Sequence, residues 1–323
     1  MSRNDRKSGW RDALEYAAYR IGWELLGRLP EGISHTAASG LARLAFTLDD
    51  RRADVSLVNL RIAFPGLPDS EYHRIAQESY QHIAWNAIDL ASASRREASQ
   101  LLERFELIGW ENYERAMAAG RGAVVVTAHL GSFECALQAL STRARGLTVA
   151  ARPLSNRRVS HHLFEQRART GARIVPHRGS LRDLLKTIRR GQAVVFANDQ
   201  YARRTRGIPI PFFGVRALTS PGPALLALRC GAPLLPFYTF RMTHHRHRAV
   251  VMPAIISDST GDRKADLARL TAELNTALEG AIRDHPEQWI WGHRRFRNSP
   301  DLPDDPYATR TDPLPDPDIL QVR

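Results

Sequence analysis

An α/β fold with parallel strands, preceded by a helical extension, is predicted by three observations along this 323-residue chain. Apolar residues in the first hundred positions recur at helical intervals. From about residue 104, short β-branched or apolar runs alternate with helix-like stretches. The composition, 43% apolar and 25% charged, is that of a chain long enough to bury a full core without disulfides or a structural metal.

The elements follow in order. Leu14, Ala18, Ile21, Leu25 and Leu29 form one helical stripe, Arg20, Glu24 and Arg28 another, and Pro30 ends the run. Trp10, Tyr16, Tyr19 and Trp23 share this helix. Such a segment either lies in a membrane surface or packs on its own protein, and packing is the commoner fate. A second helix is expected to end near Phe64-Pro65, and a third to run from Asp69-Ser70 to about Ser94. Strands are expected at Phe105–Ile108, Ala123–Thr127, Leu147–Ala150, Ala193–Ala197, Leu234–Phe240 and Ala249–Met252. Helices are expected near 111–119, 132–143, 158–170, 179–190, 222–230 and 263–283. The partition is therefore a helical extension over 1–100, an α/β domain over 101–298, and a Pro/Asp-rich tail over 299–323, read as an extended wrap or disordered.

Charge narrows the partners. Lys and Arg total 46 against 34 Asp and Glu, a net charge of +12, and only Lys7, Lys186 and Lys264 are lysines. A GC-rich genome produces such an arginine bias, but its placement is informative. Sixteen basic residues fall between Arg143 and Arg206 with only Glu165, Asp183 and Asp199 against them, so the rest of the chain is nearly neutral. An anionic partner is expected there: a phosphorylated substrate, an acidic protein, a membrane surface or a nucleic acid. Two cysteines, Cys135 and Cys230, are too few for a disulfide framework and suit a reducing compartment. No run approaches the ~20 apolar residues of a membrane span, and the charged N-terminus leads into no signal-peptide core.

The most informative segment is Gly122-Ala-Val-Val-Val-Thr-Ala-His129-Leu-Gly-Ser-Phe-Glu134. A buried strand runs into a turn containing Gly131, and a helix follows. The carboxyl edge of such a strand is where α/β proteins bind ligands. An imidazole held by a carboxylate makes a general base, and Glu134 lies five residues beyond His129. The alternative is a packing histidine beside an acid favoured by the start of a helix. A metal site is not expected here, for want of a second ligand cluster.

His129-x4-Glu134 resembles the HX4D/E motif of glycerolipid-type acyltransferases. The surroundings are similar to those of the bacterial lipid A biosynthesis acyltransferase family, the lauroyl and myristoyl transferases of lipopolysaccharide assembly. The resembling stretches come in order: Asn59-Leu-Arg-Ile-Ala-Phe64-Pro65, Ala151-Arg152-Pro-Leu-Ser-Asn156, Arg167-x3-Gly171 and Asn198-Asp199-Gln200. Pro211-Phe-Phe213-Gly214, Gly231-Ala-Pro-Leu-Leu-Pro236 and Trp289-Ile-Trp291-Gly-His293-Arg294-Arg295-Phe296 complete the set, over roughly residues 10 to 298. The resemblance implies a glycerolipid-acyltransferase-like mixed or parallel sheet flanked by helices. It implies acyl transfer from an acyl carrier protein, or from coenzyme A, to a hydroxyl of a phosphorylated glucosamine lipid, with no cofactor beyond that donor. The place implied is the cytoplasmic face of the bacterial inner membrane.

In that reading His129 and Glu134 are catalytic, and backbone N–H groups around Gly131 stabilise the oxyanion. Arg152, Arg167, Asn198, Asp199 and Gln200 bind substrate, Arg152 and Arg167 as phosphate clamps. For each arginine the alternative is a solvated basic face, and for Asp199 simple neutralisation of a nearby arginine. Relatives often carry a hydrophobic N-terminal anchor, whereas Asp12, Glu15, Arg20, Glu24 and Arg28 here imply peripheral or monotopic attachment. Their closing element often ends Trp-Lys where this chain has Phe296-Arg297. Arg203, Arg204 and Arg206 are expected to face a carrier protein or lipid headgroups. His244, His245 and His247 read as a solvated hairpin. Phe212-Phe213 and Ala224–Leu228 read either as an acyl-chain pocket or as core.

Rival readings keep the chemistry and change the acceptor: a phosphatidylinositol-mannoside-type acyltransferase using acyl-CoA, or a thioesterase with water in place of the acceptor. A nucleic-acid-binding protein is the different-class alternative, and it lacks any recognition motif.

Overall fold

The computed structural model describes residues 3–302 apart from 145 and 178, together with 305–308. Eleven α-helices and nine strands are formed among these residues. The amino-terminal part is helical throughout: α1 (Arg3–Arg28), α2 (Glu31–Leu48), α3 (Asp50–Ala63), α4 (Asp69–Ala93) and the short α5 (Ala98–Leu102). The expected second helix is thus two, broken at Asp49, whose carboxylate caps α3 by accepting from the Arg52 N–H.

From β1 (Phe105–Ile108) strands and helices alternate. They are α6 (Trp110–Ala118), β2 (Ala123–Thr127), α7 (Phe133–Arg143), β3 (Thr148–Ala151), α8 (Arg157–Ala168), β4 (Arg173–Pro176), α9 (Leu181–Arg189) and β5 (Ala193–Ala197). A hairpin of β6 (Ile208–Phe212) and β7 (Val215–Thr219) follows, then α10 (Gly222–Cys230), β8 (Leu234–Arg241), β9 (His247–Val251) and α11 (Arg263–Asp284). A 3-10 turn at Pro286–Gln288 leads into the closing Trp-Ile-Trp segment.

The main sheet has seven strands in the order β1-β9-β8-β2-β5-β3-β4. Five of them, β8, β2, β5, β3 and β4, are parallel; β9 is antiparallel to β8, and β1 is parallel to β9. This is the expected mixed α/β sheet. Its centre is β2, whose residues Ala123–Val126 are all buried, as a central parallel strand covered on both faces requires. β4, β6 and β7 were not expected from the sequence. The β8–β9 hairpin exposes His244 and His245 at its tip, while His247 is buried with its ring 5.0 Å from that of Phe105.

The helical extension packs on the edge of the sheet where the parallel strands end. Helix α4 reaches the segments around the β2–α7 turn: Asn86 Nδ2 donates to the Gly131 carbonyl (2.6 Å) and Ser79 Oγ to that of Trp289. Asn59 on α3 donates to the carbonyls of Trp291 and His293, and Tyr307 from the start of the tail donates to Asn59 Oδ1. Tyr307 is buried, so the tail begins as a wrap; residues beyond 308 lie outside those described.

Helix α1 divides its two faces in a way its periodicity did not reveal. The aromatic face turns inward: Trp23 is buried and, with Tyr19, packs on His162 of α8. The aliphatic residues Leu14, Ile21 and Leu25 are exposed together with Trp10, each by 58% or more. Helix α2 repeats the arrangement with Ile33, Leu41, Leu44 and Leu48 outward. The helix therefore packs on its own protein through Tyr19 and Trp23, and the aliphatic stripe is left facing outward.

Candidate active site

The register of the central strands creates the site. β2 pairs with β5 so that Thr127 lies opposite Ala197. Two residues beyond each stand His129 and Asp199, which are thereby side by side although 70 positions apart. Asp199 Oδ1 accepts from His129 Nδ1 at 2.9 Å, and Oδ2 accepts the His129 backbone N–H at 2.9 Å. The indole of Trp289 donates to the same Oδ2 at 3.0 Å. Asp199 is buried, whereas the His129 side chain keeps 27% of its surface, so the imidazole is the member of the pair that faces outward.

The electrostatics follow from this contact. Burial alone would push the Asp199 carboxyl up, but His129 and the hydrogen bonds hold it well below the usual carboxylate range. Burial pulls the His129 imidazole down; the Asp199 charge and hydrogen bond more than offset that, so it is raised above the ordinary histidine value. With Nδ1 bonded to a carboxylate, Nε2 is the nitrogen free to take a proton from an acceptor hydroxyl.

Glu134 is placed differently from the sequence expectation. Its carboxylate forms a two-pronged ion pair with Arg167 of α8, through Nε at 2.8 Å and through Nη2. Glu134 contributes charge near His129 and raises it, but the hydrogen bond to the imidazole belongs to Asp199. The physical reason is direction. Ser132 stands at the start of α7 and Glu134 projects from its first turn toward α8, while Asp199 leaves the neighbouring strand in register with His129.

Other expected residues scatter. Arg167, expected as a phosphate clamp, already directs two of its donors to Glu134, and that carboxylate raises its affinity for its proton against the effect of burial. Arg152 is exposed just after β3, and Gln200 is exposed just after Asp199. Asn198 donates from Nδ2 to the Ser220 carbonyl (3.1 Å) and from its backbone to Thr127 (3.1 Å), which extends the β2–β5 ladder toward the site. The Gly131 N–H, expected as an oxyanion donor, is bonded to the Gln288 carbonyl at 3.1 Å. Phe212, Phe213, Ala224, Leu226 and Ala227 are buried in the core, which is the packing alternative. Among the described residues no group of three or more His, Cys, Asp or Glu side chains is placed to hold a metal.

Two residues of the closing segment were missed as parts of the site. Trp289 holds Asp199, as above. Arg295 is fully buried, donates to the Leu218 carbonyl (3.0 Å) and Thr219 Oγ1 (2.7 Å), and stacks over Phe212 at 4.6 Å. Burial pulls it down to about 10, opposed first by the charge of Asp199, so it is a buried cation within reach of that carboxylate. Only the resemblance in Trp289–Phe296 pointed here.

A carboxylate-held imidazole at the carboxyl edge of a mixed sheet can take a proton from a hydroxyl brought to it. The bacterial lipid A biosynthesis acyltransferase family matches residues 6–298. The chain is 25% identical over 297 residues to a lipid A biosynthesis lauroyltransferase of Escherichia coli K12, covering 90% of this chain and 95% of that one. It is 26% identical over 294 residues to the palmitoleoyltransferase of the same organism (87% and 92%). It is also 26% identical over 294 residues to a phosphatidylinositol mannoside acyltransferase of Mycobacterium tuberculosis (90% and 90%). A solved structure, the 1-acyl-sn-glycerophosphate acyltransferase of Thermotoga maritima, aligns with TM-score 0.35 at 10% identity, covering 78% of this chain and 97% of that one. The protein is an O-acyltransferase. It belongs to the bacterial lipid A biosynthesis acyltransferase family.

Proposed function

We propose that the protein transfers a fatty acyl chain from an acyl carrier protein thioester to a hydroxyl of a phosphorylated lipid A precursor, a late acylation in lipopolysaccharide assembly. The observation that carries the reading is the His129–Asp199 pair, set by strand register at the sheet edge in a chain of this family. His129 Nε2 takes the proton of the acceptor hydroxyl. The resulting alkoxide attacks the thioester carbonyl, the carbon–sulfur bond breaks, and the imidazolium returns its proton to the leaving thiolate. Asp199 fixes the imidazole and balances its charge when protonated. Glu134 and Arg167 form the wall beside it. No cofactor beyond the thioester enters this scheme.

The same reading puts the reaction at the cytoplasmic face of the inner membrane, with peripheral attachment, as the resemblance implies. Support for membrane attachment comes from the outward apolar stripes of α1 and α2. The basic residues Arg152, Arg157 and Arg158 after β3 and Arg203, Arg204 and Arg206 after β5 leave the sheet on the same edge as His129. That suits lipid phosphates and an acidic carrier.

The test is to incubate the purified protein with acyl-carrier or acyl-CoA thioesters and phosphorylated glucosamine lipids, reading products by mass spectrometry. A lipid one acyl chain heavier, formed from the carrier thioester, is the expected result. The mycobacterial relatives are as similar as the lipid A enzymes and support a second reading, an inositol-mannoside acceptor with acyl-CoA. Product on that pair alone would select it, and free fatty acid alone would select a thioesterase.

A further inference from the structure

A second buried ion pair lies behind the catalytic turn, and the acyl-transfer scheme above makes no use of it. Asp89 on α4 and Arg241 at the end of β8 are joined directly, each side chain only 3% exposed. Asp89 also accepts from Ser132 Oγ at 2.9 Å and lies 3.4 Å from His35 Nε2 of α2. Burial would push the Asp89 carboxyl up, yet Arg241 and His35 hold it well below the usual carboxylate range. His82 of α4 and His247 of β9 are each pulled down to about 3, by burial first and with Arg241 adding to it, so both are neutral near pH 7. Arg104 also acts on His247, and Glu287 and His285 act on His82. Asp89 and Arg241 therefore meet in this pocket of the interior as a full charge pair, with the His82 and His247 imidazoles neutral nearby.

A buried ion pair is poor evidence of stability, because desolvation offsets its attraction. Among the described residues, moreover, Arg241 keeps two buried donors, Nε and Nη1, without a hydrogen bond. What the pair does hold is the turn. From the Asp89 side, the bond to Ser132 fixes the residue that stands at the start of α7 and precedes Glu134 by two. From the Arg241 side, its backbone N–H donates to Gln288 Oε1 (2.7 Å) and its carbonyl accepts from Gln288 Nε2 (3.0 Å). The Gln288 carbonyl then takes the Gly131 N–H, and the His129 carbonyl accepts from Ile290 at 3.3 Å. Thr239, two residues before Arg241, donates to the Leu130 carbonyl at 2.8 Å. The backbone from His129 to Ser132 is thus tied to the Asp89 carboxylate through Ser132, and to the end of β8 that carries Arg241 through Gln288 and Thr239.

We propose that the Asp89–Arg241 pair is a positioning element for acyl transfer, setting the Gly131–Ser132 turn and through it the orientation of His129 and Glu134 without touching substrate. This rests on His129 being the general base. The link most easily cut is Ser132→Ala, which removes one hydroxyl; Asp89→Asn removes the charge, and Ser132→Thr is the conservative control. The measurements are kcat and KM for both substrates, and the titration of the His129 imidazole in the free enzyme by NMR.

Displacing a reacting group by ~1 Å can cost ~10²-fold in rate. Ser132→Ala is therefore expected to lower kcat by ~10-fold or more with both KM values unchanged. The His129 titration should move to lower pH as its contact with Asp199 loosens, and Ser132→Thr should restore both. Unchanged kcat and an unchanged His129 titration in Ser132→Ala would overturn the proposal whatever happens to Tm, and that variant decides the matter if Asp89→Asn does not fold. If the wild type acylates none of the acceptors, the functional reading fails, while the NMR titration still decides the positioning.

Discussion

At the residue scale, the account turns on which carboxylate serves His129. Asp199 makes the hydrogen bond and is the largest influence raising the imidazole, with Glu134 a lesser one. A base works only when neutral, so activity should climb as pH rises through the raised His129 value. Asp199→Asn removes the main counter-charge, so burial then dominates and the acid limb of kcat/KM should shift to lower pH, with kcat reduced by ~10²-fold or more. Glu134→Gln should displace that limb less. Comparing the two pH–rate profiles checks both; an equal or larger displacement in Glu134→Gln would return the imidazole to Glu134. The sequence carried His129 and Glu134 as one local motif but not the Asp199 contact. That contact depends on β5 lying beside β2 with Thr127 opposite Ala197, a non-local pairing that spacing within one segment cannot reveal. Gly131 makes a second prediction. It sits at φ +57°, and a Cβ there would collide with the Thr239 carbonyl. Gly131→Ala should therefore destabilise the fold by ~2 kcal/mol or more, read as a fall in Tm.

Among the elements, α1 and α2 carry the least orthodox surface. Of the fifteen exposed large apolar side chains among the described residues, nine lie on or between these two helices. Periodicity predicted α1 and its stripe, but the alternation of aliphatic and aromatic faces left open which one packs. The ring contacts of Tyr19 and Trp23 with His162 decide it. Leu14→Gln with Ile21→Gln and Leu25→Gln should weaken binding to anionic vesicles by at least ~10-fold in a co-sedimentation assay while leaving Tm near wild type, because these side chains are mostly exposed. Undiminished binding would remove α1 as the docking face. Strands β6 and β7 were missed because Pro209 and Pro211 argue against a strand; they are tolerated in an isolated two-stranded hairpin where one side needs no donors. β4 was missed because it is a four-residue edge strand with exposed Arg173 and Pro176 at its ends.

For the whole molecule, the +12 charge resolves into two faces. The sequence placed the excess in one segment, yet that segment crosses the sheet several times. Arg157 and Arg158 follow β3 on the His129 edge, whereas Arg189 and Arg190 precede β5 on the opposite edge. Of these two pairs, Arg157 and Arg158 are on the edge placed to meet a phosphorylated acceptor or an anionic membrane. Each basic residue near such a surface contributes ~1 kcal/mol, so Arg157→Gln with Arg158→Gln should reduce vesicle affinity by ~10-fold or more, and the difference should shrink as salt is raised. Arg189→Gln with Arg190→Gln should have little effect in the same assay.

The central claim, that His129 is the base of an acyl transfer to a phosphorylated glycolipid, is tested most directly by a single-turnover measurement. Wild-type and His129→Ala proteins would be mixed with acyl-carrier thioester and the glycolipid acceptor, and the acylated product followed by mass spectrometry. The expected result is product with the wild type and a rate ~10²–10⁴-fold lower with His129→Ala. A His129→Ala rate above about a tenth of wild type on that scale would contradict the account.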